Sequence, residues 1–265
     1  FHSLGLEDNP PLPIGQRDYS TAPAVNPYNW QDHIHDKSQP ENLEFLTRFR
    51  AVLDSYPAAA AVGEVGDAQR GLEIVAAYTA GDKRIHMCYS FDFLGPEKLT
   101  GHRVRLVLET FGHVAADGWS CWAFSNHDVM RHATRWGWNE PDRLGYLKVT
   151  SALMMTLRGS ICLYQGEELG LPEAELTFEQ LRDPYGIRFW PEFKGRDGCR
   201  TPMAWDSHQP NAGFSAGIPW LPVPAEHITL AVNTQADDPH SLLSHYRRML
   251  AFRAAHPTLV KGDIR

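Results

Sequence analysis

Trp119-Ser120-Cys121-Trp122-Ala123-Phe124-Ser125 runs into Asn126-His127-Asp128, and the fold turns on how that stretch is read. It reads as a short apolar strand ending in polar, chemistry-bearing residues. After it, residues 141–158 carry Leu144, Leu147, Ser151, Met154 and Met155 at helical spacing. Residues 161–164 then read as a further strand, ending in Gln165-Gly166-Glu167-Glu168. The same order holds upstream. Residues 58–65 (Ala-Ala-Ala-Ala-Val-Gly-Glu-Val) are short, apolar and Gly-broken, as a buried parallel strand should be. Residues 67–80 form a predicted helix with Leu72, Val75, Ala76 and Thr79 inward, and residues 85–93 a second strand. Residues 96–114 form a helix with Leu99, Val107, Leu108, Phe111 and Val114 as its stripe. Alternation of this kind implies parallel strands joined by crossover helices. Strands buried on both faces suit either a (β/α)8 barrel or a doubly wound sheet.

The flanks are less regular. Residues 1–40 hold Pro10, Pro11, Pro13, Pro23, Pro27 and Pro40 and read as a long loop. A helix opens at Pro40-Glu41, with Leu43, Leu46, Phe49, Leu53 and Tyr56 on one face. Residues 166–225 are aromatic, Pro- and Gly-rich and read as an excursion over the surface. Residues 241–253 return to helical spacing, and His256-Pro257 stops them.

Composition narrows the function classes. The 265 residues include 25 basic and 32 acidic side chains, a formal charge of −7. That balance argues against nucleic acid as the main partner. The most apolar stretch, 151–164, is broken by Arg158, Gly159 and Ser160 and is too short to span a membrane. Four cysteines, Cys88, Cys121, Cys162 and Cys199, form no Cys-x-x-Cys pair, so zinc and redox motifs are unsupported. Cys88, Cys121 and Cys162 read as buried reduced thiols, which suits the cytoplasm. No phosphate loop, Gly-x-Gly-x-x-Gly or His-Glu-x-x-His is present.

In a barrel of parallel strands, reactive side chains project from the strands' C-terminal ends. That rule selects Glu64, His127-Asp128, and Glu167 with Glu168. Carboxylates converging on one mouth can cleave glycosidic bonds as acid/base and nucleophile. Burial beside residues 58–62 would raise the Glu64 pKa, as a general acid requires. Equally, a Glu at a strand end can serve only the N-terminus of the next helix. Asp32-His33-Ile34-His35-Asp36 has metal-like composition, but such residues in a Pro-rich loop are more often solvated. Trp136 and Trp138 could form a stacking wall for a sugar ring or pack beneath a loop.

Three segments resemble conserved segments of the α-amylase superfamily, glycoside hydrolase family 13. They are Ala-Val-Gly-Glu-Val-Gly-Asp (61–67), Phe-Ser-Asn-His-Asp-Val (124–129) and Gly-Arg-Asp-Gly-Cys-Arg-Thr-Pro-Met-Ala-Trp (195–205). The last is specific to the α-glucosidase and oligo-1,6-glucosidase branch. Tyr-Gln-Gly-Glu-Glu-Leu-Gly (164–170) and His-Asp-Lys-Ser-Gln-Pro-Glu (35–41) belong to the same pattern. The resemblance implies a retaining hydrolase acting on α-glucosides such as maltose, maltooligosaccharides or sucrose, without a cofactor. Glu64 matches the general acid/base, Asp128 the carboxylate that stabilises the transition state, and His127 a sugar-binding histidine. Of Arg196 and Arg200, one should clamp a hydroxyl of the terminal glucose. No metal ligand is implied, since the calcium-type site of some relatives lies in a part of the fold not matched here.

The family's nucleophile, an Asp in Gly-Phe-Arg-x-Asp, has no match in the sequence, and its expected place is just before Phe1. Four strands against the eight of a closed barrel agree. The expected architecture is therefore α/β: strands 5–8 of a (β/α)8 barrel over 1–255, with a C-terminal β-domain beginning over 256–265. Such a half-barrel, alone, is expected to lack retaining activity and to leave strand edges open. Alternatives within the family are α-glucosyl transfer and trehalose-forming isomerisation. From another class comes a non-catalytic relative of amino-acid-transporter heavy chains. Linkage preference and oligomeric state are left open.

Overall fold

A computed structural model describes residues 8–17, 24–67, 69–115, 117–137 and 139–262. The chain divides into two compact units, residues 1–95 with 99–122, and residues 96–98 with 123–265.

In the first unit, a loop with two 3-10 turns (Ile14–Gln16 and Pro27–Trp30) leads into helix α1 (Glu41–Leu53). Strand β1 (Val62–Val65), helix α2 (Gly71–Thr79) and strand β2 (Met87–Ser90) follow, then helix α3 (Gly101–Val114). β1 and β2 pair in parallel, in register from Val62↔Met87 to Val65↔Ser90, with α2 as the crossover. Cys88 also bridges in parallel to Ser120, on the approach to the next strand. The helices start later than their apolar spacing suggests because polar side chains intervene. Asp67 Oδ1 accepts the N–H groups of Gln69 and Arg70, and this turn delays α2 to Gly71. Thr100 caps α3 by accepting the Arg103 N–H, so the helix begins after it. Val104, Val107 and Phe111 of α3 turn inward, and Phe93 and Phe111 flank Trp122 at 5.5 and 5.7 Å between ring centroids.

The second unit opens with the last residue of β3 (Cys121–Ala123), whose sheet partner is β4 (Ser160–Cys162). Between them lie α4 (His132–Arg135) and α5 (Arg143–Thr156), the latter capped by Asp142. After β4 come 3-10 turns, α6 (Pro184–Phe189), α7 (Ala225–Thr229) and α8 (Val232–Gln235). The long helix α9 (Leu242–Ala255) is capped by Ser241, and the short α10 (Thr258–Lys261) ends the unit. Leu147 and Met155 of α5 and Leu242 and Tyr246 of α9 form one buried cluster with Ala133. Buried Arg253 ties α9 to the turn before β4 by donating to the carbonyls of Met155, Leu157 and Gly159. No helix among the described residues is long and apolar enough to cross a membrane.

Three expectations need correction. β1 is not buried on both faces: Val62 and Glu64 are exposed and only Val65 is fully buried. Among the described residues β1 pairs with β2 alone. On α1 only Leu46 is buried; Phe49 stands exposed, as does Tyr56 beyond the helix end. Cys162 is exposed, because it is the last residue of a three-residue strand, whereas Cys88 and Cys121 are buried as expected. The helical turn α10 accepts the Gly159 N–H at the Val260 carbonyl.

Candidate active site

The site in the second unit is built on the turn after β3. Phe124, Ser125 and Asn126 are buried, and Asn126 Oδ1 accepts the N–H groups of Asp128 (2.9 Å) and Val129 (3.1 Å). That Asx turn stops the strand and lifts Asp128 to a partly exposed position. Asp128 Oδ1 accepts from Arg196 Nη1 at 3.0 Å and from Arg200 Nη2 at 2.8 Å. His127 Nε2 lies 3.5 Å from the same oxygen, with its ring largely exposed. The two arginine contacts are charge-assisted, the strong class of hydrogen bond. They and the His127 contact fall on Oδ1, and among the described residues Oδ2 makes none.

The two arginines are not equivalent. Each guanidinium nitrogen of Arg196 donates to protein: Nε and Nη2 to Asp183, at 2.8 and 3.0 Å, and Nη1 to Asp128. Arg200 donates Nε to the His127 carbonyl at 2.7 Å and Nη2 to Asp128. Its Nη1 has no protein partner among the described residues. The backbone that carries Arg196 requires glycine before it. Gly195 has φ +81°, and a Cβ there would stand 2.7 Å from Gly186 Cα. A cavity of about 230 Å³ lies beside Arg196, lined also by Asp128, Glu173 and Lys194 among others.

In the first unit, Glu64 sits opposite Tyr89 in the β1–β2 ladder, and its side chain is exposed rather than desolvated. Gly63 before it is needed for packing, since a Cβ would come within 2.6 Å of Ile85 and 2.9 Å of Cys88 Sγ. Burial, with the Glu64 charge beside it, pushes the Cys88 thiol up to about 12. Another cavity, of about 270 Å³, follows the strand and is lined by Tyr28, Asp32, Lys37, Asp67 and Arg70 among others. Lys37 Nζ reaches the Gly66 carbonyl at 2.8 Å.

Other candidates take structural parts. Glu167 is buried, 3.0 Å from His132 Nδ1, and accepts the Tyr164 N–H at 2.8 Å. Trp136 is buried against Phe124 and His132, with the Arg135 guanidinium over its ring, so it packs beneath the loop; Trp138 lies outside the described residues. His33 binds Asp36 and the Tyr28 carbonyl, and stacks on the Tyr28 ring. Among the described residues no three His, Cys, Asp or Glu side chains are placed to hold a metal ion. Sequence reading missed Glu173 and Asp183. Glu173 accepts the Arg131 N–H at 2.9 Å, and burial pushes its carboxyl up to about 7. The only local signal for Asp183 is Asp-Pro, which marks a helix start and says nothing of a distant arginine.

The α-amylase catalytic-domain profile matches residues 14–262. The chain belongs to the α-amylase family. A probable α-glucosidase of Rhizobium meliloti is 60% identical over 264 residues, which is all of this chain and 48% of that protein. An oligo-1,6-glucosidase of Heyndrickxia coagulans is 28% identical and covers 86% of this chain and 45% of its own. The crystal structure of an α-glucosyl transfer enzyme, XgtA, superposes with a TM-score of 0.93 at 49% identity, over 100% of this chain and 49% of that one. The chain thus spans about half the length of these α-amylase-family relatives. Its alternating strands and helices are those of a partial (β/α)8 barrel.

Proposed function

We propose that this α-amylase-family chain carries part of a retaining α-glucoside-processing site, hydrolysing terminal α-linked glucose from maltose-like sugars or sucrose. The observation that carries the reading is the Asp128 carboxylate, held through one oxygen by two guanidinium groups with the other left for a ligand. A carboxylate fixed in this way faces a developing positive charge without reorganising, which is what an oxocarbenium-like transition state rewards. Asp128 Oδ2 accepts sugar hydroxyls and stabilises that charge. Arg200 is the arginine that clamps the terminal glucose, because its Nη1 is uncommitted, whereas Arg196 serves Asp128. His127 hydrogen-bonds the same sugar. Glu64 donates a proton to the departing glycosidic oxygen and then takes one from water. Its exposure keeps it open to both partners. The covalent nucleophile expected in Gly-Phe-Arg-x-Asp has no counterpart among the 265 residues.

Glucosyl transfer is a second reading, supported by the 49% identity to a protein described as an α-glucosyl transfer enzyme. The two readings share the same residues and differ in what accepts the glucosyl group. The test uses the full-length protein with maltose and p-nitrophenyl α-glucoside, with and without an acceptor alcohol. Glu64→Gln should lower kcat on maltose by about 100-fold or more, the scale of general acid–base catalysis. Unchanged hydrolysis by both Glu64→Gln and Asp128→Asn would refute the assignment. Glucoside products that rise with acceptor at the expense of free glucose would select transfer.

A further inference from the structure

Asp183 shares Arg196 with Asp128 and makes no hydrogen bond to Asp128 among the described residues. It caps α6, where Oδ1 accepts the Tyr185 N–H at 3.1 Å, and its side chain is 1% exposed. Oδ2 accepts from Arg196 Nε at 2.8 Å and from the Arg196 backbone N–H at 3.0 Å, while Oδ1 accepts from Nη2 at 3.0 Å. This is the two-pronged fork that fixes the plane of a guanidinium as well as its place. The anchor is itself held. The backbone N–H groups of Arg182 and Asp183 both donate to Oδ2 of the fully buried Asp197, at 2.5 and 2.7 Å. Burial works against ionising Asp183, but the hydrogen bonds from Arg196 and Tyr185 outweigh it and hold the carboxyl below its ordinary value.

Charge counting gives this arrangement a purpose. Arg196 and Arg200 bring two positive charges to Asp128, which can balance one. Asp183 supplies the second negative charge and takes the Nε side of Arg196. Without it, the set around Asp128 would carry a net positive charge, which opposes a cationic transition state.

We propose that Asp183 is a positioning residue of this active site: it fixes the plane of Arg196 and offsets its charge, so that Asp128 presents a full carboxylate charge and a free Oδ2. This rests on the reading of Asp128 given above.

The experiment is a double-mutant cycle on the full-length protein with p-nitrophenyl α-glucoside. Asp183→Asn keeps the shape and the helix cap, since Asn caps well. It should lower kcat by about 100-fold, the scale of a small displacement of a catalytic group, with KM changed less than about threefold. Arg196→Met should give a similar loss, and adding Asp183→Asn to it should cost less than about twofold more. Arg196→Lys keeps the charge but loses the fork, so it should match Asp183→Asn and serves if that variant fails to fold. Losses that multiply in the double variant, or an Asp183→Asn enzyme with wild-type kcat, would overturn the proposal. If the wild-type protein turns over no α-glucoside, the functional reading fails separately. The positioning claim is then read from the crystal structure of Asp183→Asn. Arg196 turned away from Asp128 supports it, and Nη1 still about 3 Å from Oδ1 overturns it.

Discussion

Glu173→Gln should make the protein more stable at pH 8 and leave it unchanged at pH 4. Burial is the main reason the Glu173 carboxyl rises from its ordinary 4.5 to about 7, and neighbouring Glu175 adds to it. The Arg131 N–H and the charges of Arg131 and Arg135 pull the other way without prevailing. A raised carboxyl means that the folded chain holds its proton more tightly than the unfolded chain. Below about pH 4.5 both states are protonated and nothing is lost. Between 4.5 and 7 the unfolded chain releases its proton first, so stability falls as pH rises. Above about 7 the cost levels off. A rise from 4.5 to about 7 corresponds to about 3 kcal/mol, an upper figure for this group. Glutamine imitates the protonated acid and can still accept the Arg131 N–H. Urea unfolding followed by tryptophan fluorescence at pH 4, 6 and 8 measures the difference between wild type and variant. The expected difference is near zero at pH 4 and about 3 kcal/mol in favour of the variant at pH 8. A difference independent of pH, or a variant less stable at pH 8, would refute the reasoning.

Three more perturbations test the site and its support. Gly195→Ala places a Cβ at positive φ and against Gly186 Cα, so it should cost about 2–4 kcal/mol in thermal or urea unfolding. It should also lower kcat/KM by displacing Arg196. His227 is fully buried, bonded to the Pro172 carbonyl at 2.8 Å, and held down to about 4, chiefly by burial. Its depressed value means that stability present above pH 6.5 is lost as pH falls towards 4, by up to about 3 kcal/mol. His227→Gln should remove that part of the acid slope in unfolding curves, and an unchanged slope would count against it. Arg200→Lys loses the donor assigned to glucose, so kcat/KM for maltose should fall about 10–100-fold, the worth of one hydrogen bond to a charged group. An effect below about threefold would move the clamp elsewhere.

The order of strands and helices was legible because apolar spacing alternates cleanly from residue 58 to 164. The turn holding Asp128 was legible too, since Asn126-His127-Asp128 follows directly on a strand. The ends of elements were not, because Asp67 and Thr100 bend the backbone before their helices begin. Exposure of Glu64 was missed because a run of alanines before it suggests cover, while burial depends on which neighbours pack against β1. The convergence of Arg196 and Arg200 on one oxygen could not be seen, though both were flagged. It depends on how residues 166–225 fold, and that segment has no periodicity to read. Asp183 and Glu173 were hidden for the same reason. Their partners, Arg196 and Arg131, stand 13 and 42 residues away in sequence.

The central claim is that Asp128 Oδ2 and Arg200 Nη1 face the sugar. A crystal structure of the protein with bound glucose, or with maltose on the Glu64→Gln variant, tests it most directly. The expected result is a glucose ring with hydroxyls within about 3 Å of both atoms, and with Arg196 still on Asp183. A sugar bound elsewhere, or a ring in place that leaves both atoms without a hydroxyl, would contradict it.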